Sequence, residues 1–108
     1  MKKKNICKNK NELDLIFKLK QKVKNYFFIL YFIKKKLDHF KFVLSISKKY
    51  GKAYERNLIK RRLRMIIHKN MSLIDKNIIF IVIIKPTAKE LDFANLEKKF
   101  LVLIKKIF

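Results

Sequence analysis

The hydrophobic pattern changes period across Gly51, the single glycine of the chain. Before it, Phe42, Leu44 and Ile46 alternate with Val43, Ser45 and Ser47, which is the period of a strand with one buried face. After it, from about Ala53 to Lys69, Ile59, Leu63, Ile66 and Ile67 recur at i, i+4, i+7 and i+8. That spacing gathers them into one apolar stripe on a helix. Glycine sits at the junction because it tolerates positive φ without a Cβ clash. A strand and a helix joined this closely must cover their apolar sides with shared partners. The chain is therefore expected to be a helix-on-sheet, α+β domain.

The other face of the helix has a different chemistry. At 100° per residue, Asn57, Arg61, Arg64 and His68 point away from the stripe, with Lys60 on its flank. A run of charge is ordinarily a solvated face. Here no acidic residue stands four positions on to neutralise these cations, so the face repels itself unless something anionic covers it. The whole chain shares the bias, with 29 Lys+Arg against 8 Asp+Glu and a formal net charge of +21 over 108 residues. A polyanion is the simplest partner, and an anionic membrane surface is the rival. The richness in Lys, Ile, Asn and Phe also fits an A+T-biased genome, so the placed arginines say more than the net charge.

The remaining segments complete a single domain. Residues 1–10 read as a mobile basic tail, either solvated or in contact with the polyanion, and 11–108 as the folded domain. Asn11 can cap a helix to about Lys20, with Glu12 and Asp14 in its first turn and Leu13, Ile16 and Phe17 on its apolar side. Gln21–Asn25 reads as a polar connector. Tyr26–Ile33 is an aromatic, β-branched strand, with Tyr26, Phe28 and Leu30 on one face and Phe27, Ile29 and Tyr31 on the other. A charged turn over Lys34–His39 leads to the strand Lys41–Ser47, which suggests an antiparallel hairpin. Beyond a polar loop, Asn70–Asn77, the run Ile78–Ile84 reads as a central strand buried on both faces. Pro86 ends it. Asp92 can cap a last helix with Leu96, Phe100, Leu103, Ile104 and Ile107 inward and Lys98, Lys99, Lys105 and Lys106 outward. Such a helix can lie on a membrane, and more often packs on its own sheet.

Several chemistries have no footing. Cys7 is the only cysteine, so neither an internal disulfide nor a cysteine cluster can form. His39 and His68 lack ligand spacing. The apolar runs Tyr26–Ile33 and Ile78–Ile84 fall far short of the roughly 20 residues of a membrane span. Basic Met1-Lys2-Lys3-Lys4 is followed by no signal-peptide core. The expectation is a soluble, cytoplasmic protein. The few, scattered carboxylates offer no constellation for hydrolysis.

The stretch Ser45-Ile46-Ser47-Lys48-Lys49, Gly51, Glu55-Arg56-Asn57-x-x-Lys60-Arg61-x-x-Arg64 resembles the signature of the bacterial ribonuclease P protein subunit. Leu58 stands where that family usually carries a third basic residue, Val43 where a strand glycine is usual, and Leu13 where a second aromatic is common. The resemblance implies the order α-β-β-β-α-β-α, with the arginine helix in a left-handed crossover between parallel strands. It implies an accessory subunit that assists a catalytic RNA in removing the 5′ leader of precursor tRNA. The Mg²⁺ is held mainly by that RNA, and no catalytic residue or metal ligand falls on the protein. Lys48, Lys49, Arg56, Asn57, Lys60, Arg61 and Arg64 would dock on the RNA subunit. Phe17, Leu13 and Phe28 would line a cleft for the leader. Phe17 can equally be a core residue. The alternative function is a ribosomal or other structural RNA-binding protein without processing activity.

Overall fold

The computed structural model describes residues 10–19 and 21–107. Seven elements follow in order: α1 (Lys10–Leu19), β1 (Lys22–Lys24), β2 (Phe28–Lys34), β3 (Lys41–Ile46), α2 (Ala53–Lys69), β4 (Ile78–Ile84) and α3 (Phe93–Ile107). Short 3₁₀ turns at Lys48–Tyr50, Met71–Leu73 and Pro86–Glu90 fill the connections. The expected order α-β-β-β-α-β-α is the observed one. Of the expected basic tail, all but Lys10 lies outside the described residues. Lys10 already belongs to α1, so Asn11 lies within the first turn rather than capping it.

β4 organises the sheet, whose strand order is β1-β2-β4-β3. β4 pairs antiparallel with β2 along its whole length, from Phe28 opposite Ile84 to Lys34 opposite Ile78. On its other edge it runs parallel to β3, from Lys41 opposite Ile79 to Ile46 opposite Ile84. The continuous apolar run of β4 follows from this placement, since a strand covered on both faces has no polar side to alternate with. β2 and β3 therefore do not form the expected hairpin, because β4 lies between them. α2 makes the crossover that joins the parallel pair.

Two other expectations change. The connector 21–25 contains a strand, β1, antiparallel to β2, with Val23 opposite Leu30 and packed against the core. β2 begins at Phe28 rather than Tyr26, because Asn25 makes a local turn. Its Oδ1 accepts from the Phe27 N–H at 2.8 Å and the Phe28 N–H at 2.9 Å. A side chain that satisfies two successive backbone donors holds the chain out of the ladder.

The sheet separates two apolar layers. Phe28, Leu30, Phe42, Phe80, Val82 and Ile84 face one side, against Ile59, Leu63, Ile66 and Ile67 of α2 and Leu96, Phe100, Leu103, Ile104 and Ile107 of α3. Both helical stripes are those of the sequence. Phe80 stacks at 5.7 Å on Phe42 and 6.1 Å on Phe40. The alternate β4 residues Ile79 and Ile81 face the other side, with Ile33 and with Ile16 of α1. The order of layers is helices, sheet, helix. α3 is capped as expected, with the Asn95 N–H donating to Asp92 Oδ1 at 2.9 Å. Among the described residues, no helix is long and apolar enough to cross a membrane.

Candidate nucleic-acid interface

α2 is held at both ends by acidic side chains, and among the described residues neither forms an ion pair with its arginines. At the N-terminus, the Lys52 N–H donates to Glu55 Oε1 at 3.0 Å, and Glu55 Oε2 pairs with Lys89 Nζ at 2.7 Å. The hydrogen bond from Lys89 holds the Glu55 carboxyl below its ordinary range, and the same contact raises Lys89. Gly51 lies directly beneath, with φ at 156°. A Cβ there would stand 2.8 Å from Glu55 Oε1 and push that carboxylate aside, while the backbone φ itself favours glycine. Tyr50 anchors the preceding turn in the core, where burial pushes its hydroxyl pKa up. Lys48 and Lys49 of that turn are left exposed.

At the C-terminus, Asn70 Nδ2 donates to Ile66 O at 2.8 Å and to Glu97 Oε2 at 3.0 Å. Lys69 pairs with Glu97 at 3.3 Å. The Asn70 amide first, and then Lys69, hold the Glu97 carboxyl below its ordinary range. The arginine helix is thus clamped to the Pro86–Glu90 turn at one end and to α3 at the other.

Between these clamps the outward residues stand where the helical phase puts them. Asn57, Arg61, Arg64 and His68 are exposed, Lys60 is half-buried on the flank, and Ile59 and Leu63 are buried beneath. Arg56 is half-buried too, and its Nε is buried without a protein acceptor. The ion pairs among the described residues join Lys35 to Glu12, Lys69 to Glu97 and Lys89 to Glu55. None reaches Lys48, Lys49, Arg56, Lys60, Arg61 or Arg64. A shallow groove on this face is lined by Tyr54, Asn57, Leu58, Arg61 and Arg64.

The second expected patch divides. Phe17 of α1 is 42% exposed and meets Tyr31 of β2 edge-on, with ring centroids 5.0 Å apart. Lys22 Nζ lies 5.4 Å from the Tyr31 ring centroid. Leu13 is half-buried against the α1 layer. Phe28 is not part of this cleft. It is fully buried on the opposite face of the sheet, edge-on to Phe100 at 5.9 Å. On the α1 side of the sheet Tyr31 stands against Phe17, with Lys22 over its ring. Strand parity puts Tyr31 with Ile29 on the face opposite Phe28, and the packing of α1 makes that face the cleft side. Lys22 was hidden because its strand is only three residues long.

Among the described residues, no group of three or more His, Cys, Asp or Glu is placed to hold a metal ion.

Comparison with known proteins agrees over the full length. The Ribonuclease P family profile matches residues 1–108. A ribonuclease P protein component of Phytoplasma australiense is 45% identical over 108 residues, covering 99% of this chain and 94% of that protein. One from Acholeplasma laidlawii is 40% identical over 86 residues, covering 80% of this chain and 74% of that protein. Among solved structures, the RNase P protein of Thermotoga maritima superposes with a TM-score of 0.87 at 29% identity, covering 95% of this chain and 97% of that one. The RNase P protein of Staphylococcus aureus gives 0.86 at 30% identity, covering 95% and 94%.

Proposed function

The chain belongs to the ribonuclease P protein family, the RNA-binding component of the endoribonuclease that matures tRNA 5′ ends, and from that premise we propose how its two surfaces divide the work. The α2 face docks on the catalytic RNA. Arg56, Lys60, Arg61 and Arg64, with Lys48 and Lys49 at the entry to the helix, meet phosphates, and Asn57 adds an amide donor. Guanidinium forks can bind phosphate oxygens in pairs, which lysine cannot. The observation that carries this reading is a row of cations held outward on a clamped helix with no acidic partner among the described residues.

The α1 cleft receives the 5′ leader of the precursor. Phe17 and Tyr31 offer ring surfaces on which unpaired bases stack, Leu13 closes the apolar side, and Lys22 supplies charge. Opposite charge brought between two RNAs lowers their repulsion, so the protein tightens substrate binding and reduces the Mg²⁺ requirement. The ion itself fits no side-chain cluster of the described residues and is assigned to the RNA. The site of action is the cytoplasm, where precursor tRNA is met. Family membership replaces the alternative of a structural RNA-binding protein without processing activity.

The test is a reconstitution with a transcribed ribonuclease P RNA and a precursor tRNA carrying a 5′ leader. At low Mg²⁺ the protein should strongly stimulate cleavage at the mature 5′ end, and the protein alone should cleave nothing. RNA binding without stimulation would refute the division of work.

A further inference from the structure

We propose that the outward face of α2 holds, beside its cations, a seat for one unpaired nucleobase of the docked RNA, with Tyr54 as the stacking platform and Leu58 as the apolar floor. The inference rests on the RNA-docking reading above and deepens it.

Tyr54 is 69% exposed and Met65 is 54% exposed, on a helix whose core stripe is already complete. Single exposed apolar side chains need no explanation. These, however, are not scattered. At 100° per residue, Tyr54, Leu58 and Met65 fall within an arc of about 40°. Arg61 borders that arc, with Asn57, His68 and Arg64 beyond it. The outward face thus carries an apolar strip set between cations, with Arg61 and Arg64 on one side and Arg62 and Lys69 on the other. Tyr54, Leu58, Asn57, Arg61 and Arg64 line the same groove.

A surface built only for phosphates has no use for leucine at its middle. A base presents a flat apolar face, polar edges and a charged backbone on either side. The groove answers each part. The Tyr54 ring matches the base face, and Leu58, one helical turn on, borders it. The Asn57 amide has both donor and acceptor for a base edge. Arg61 and Arg64 stand beside it for the flanking phosphates. The base must be unpaired, because stacked bases inside an A-form duplex do not present their faces and its deep groove does not admit side chains. An apolar protein segment fits less well, since two guanidinium groups line the same groove.

The chain contains no tryptophan, so Tyr54→Trp introduces its sole indole. The full-length variant is titrated with transcribed ribonuclease P RNA. Expected results are affinity near wild type and quenching of the indole emission as the base stacks. Tyr54→Ala should bind roughly 5- to 150-fold more weakly. Its slope of log affinity against log salt should match wild type, because no phosphate contact is lost. Tyr54→Phe should bind as wild type. Unchanged indole emission, in a titration where RNA binds and Arg61→Ala weakens it, would overturn the base seat and leave docking by phosphates intact. No salt-sensitive RNA binding by wild type would overturn the docking reading and the seat together. An indole signal that tracks protein concentration without RNA would assign the strip to self-association instead.

Discussion

Phe17 and Phe28 lie on opposite faces of one sheet, and truncating each should damage a different property. Phe28 is fully buried and sits edge-on to Phe100 at 5.9 Å and 85°. Phe28→Ala removes its transfer energy and leaves a cavity, at a cost of about 3–5 kcal/mol. The edge-to-face pair accounts for ~0.5–1.5 kcal/mol of that loss. A domain of this size has roughly 5–15 kcal/mol of stability in all. At roughly 4–8 °C per kcal/mol, a 4 kcal/mol loss lowers the melting temperature by about 15–30 °C. Phe17 is 42% exposed, so Phe17→Ala forfeits only partial burial and one exposed ring pair, about 1 kcal/mol and a few degrees. Its cost should appear in affinity for precursor tRNA with a leader, at about 1–3 kcal/mol, and not for mature tRNA. The assays are far-UV CD melts and substrate binding to the reconstituted complex. Equal melting losses in the two variants would refute the two-layer assignment. Full leader affinity in Phe17→Ala would refute the cleft.

Arg61→Ala and Arg64→Ala should each weaken binding to the catalytic RNA and reduce the salt slope by about 0.7–0.9 with an unchanged melt; a lowered melt would make them structural. Ile59 is 3% exposed at the head of the α2 stripe, so Ile59→Asp buries an unpaired charge and should abolish the cooperative melt. Glu55 and Glu97 both have depressed carboxyl pKa values. Their stabilisation is therefore present above the ordinary carboxylate range and lost as pH falls through the lower folded values. Melting temperature should drop with acidification through that window, and Glu97→Gln should flatten the fall; an equally steep fall in the variant would rule out the clamp at Glu97.

The sequence disclosed whatever depended on one contiguous period. The bounds of α2, the stripe of α3, the Asp92 cap and the central burial of β4 all follow from local spacing. What it concealed was non-local. Nothing in Phe28–Lys34 or Lys41–Ile46 states that each pairs with a strand more than thirty residues downstream, rather than with the other. The cleft was misread for a related reason. β2 is apolar on both sides, so although strand parity sets Tyr31 apart from Phe28, no polar alternation marks which of the two faces α1 covers. Asn25 ends one segment and starts the next through side-chain hydrogen bonds that composition alone does not reveal. On α2, Tyr54 and Leu58 are single apolar residues within a basic sequence, and only the helical phase brings them to one groove.

The central place of β4 also sets a timetable. A ribosome makes the chain from the N-terminus, so β2 and β3 are complete long before their shared partner exists. Until Ile84 is added, the sheet can consist only of β1 against β2, while β3 has no strand to join. Exposed edges of this kind invite pairing with other chains. The fold cannot close progressively as it is synthesised. It waits for the last third of the chain, when β4 emerges between β2 and β3 and supplies the edge each of them lacks.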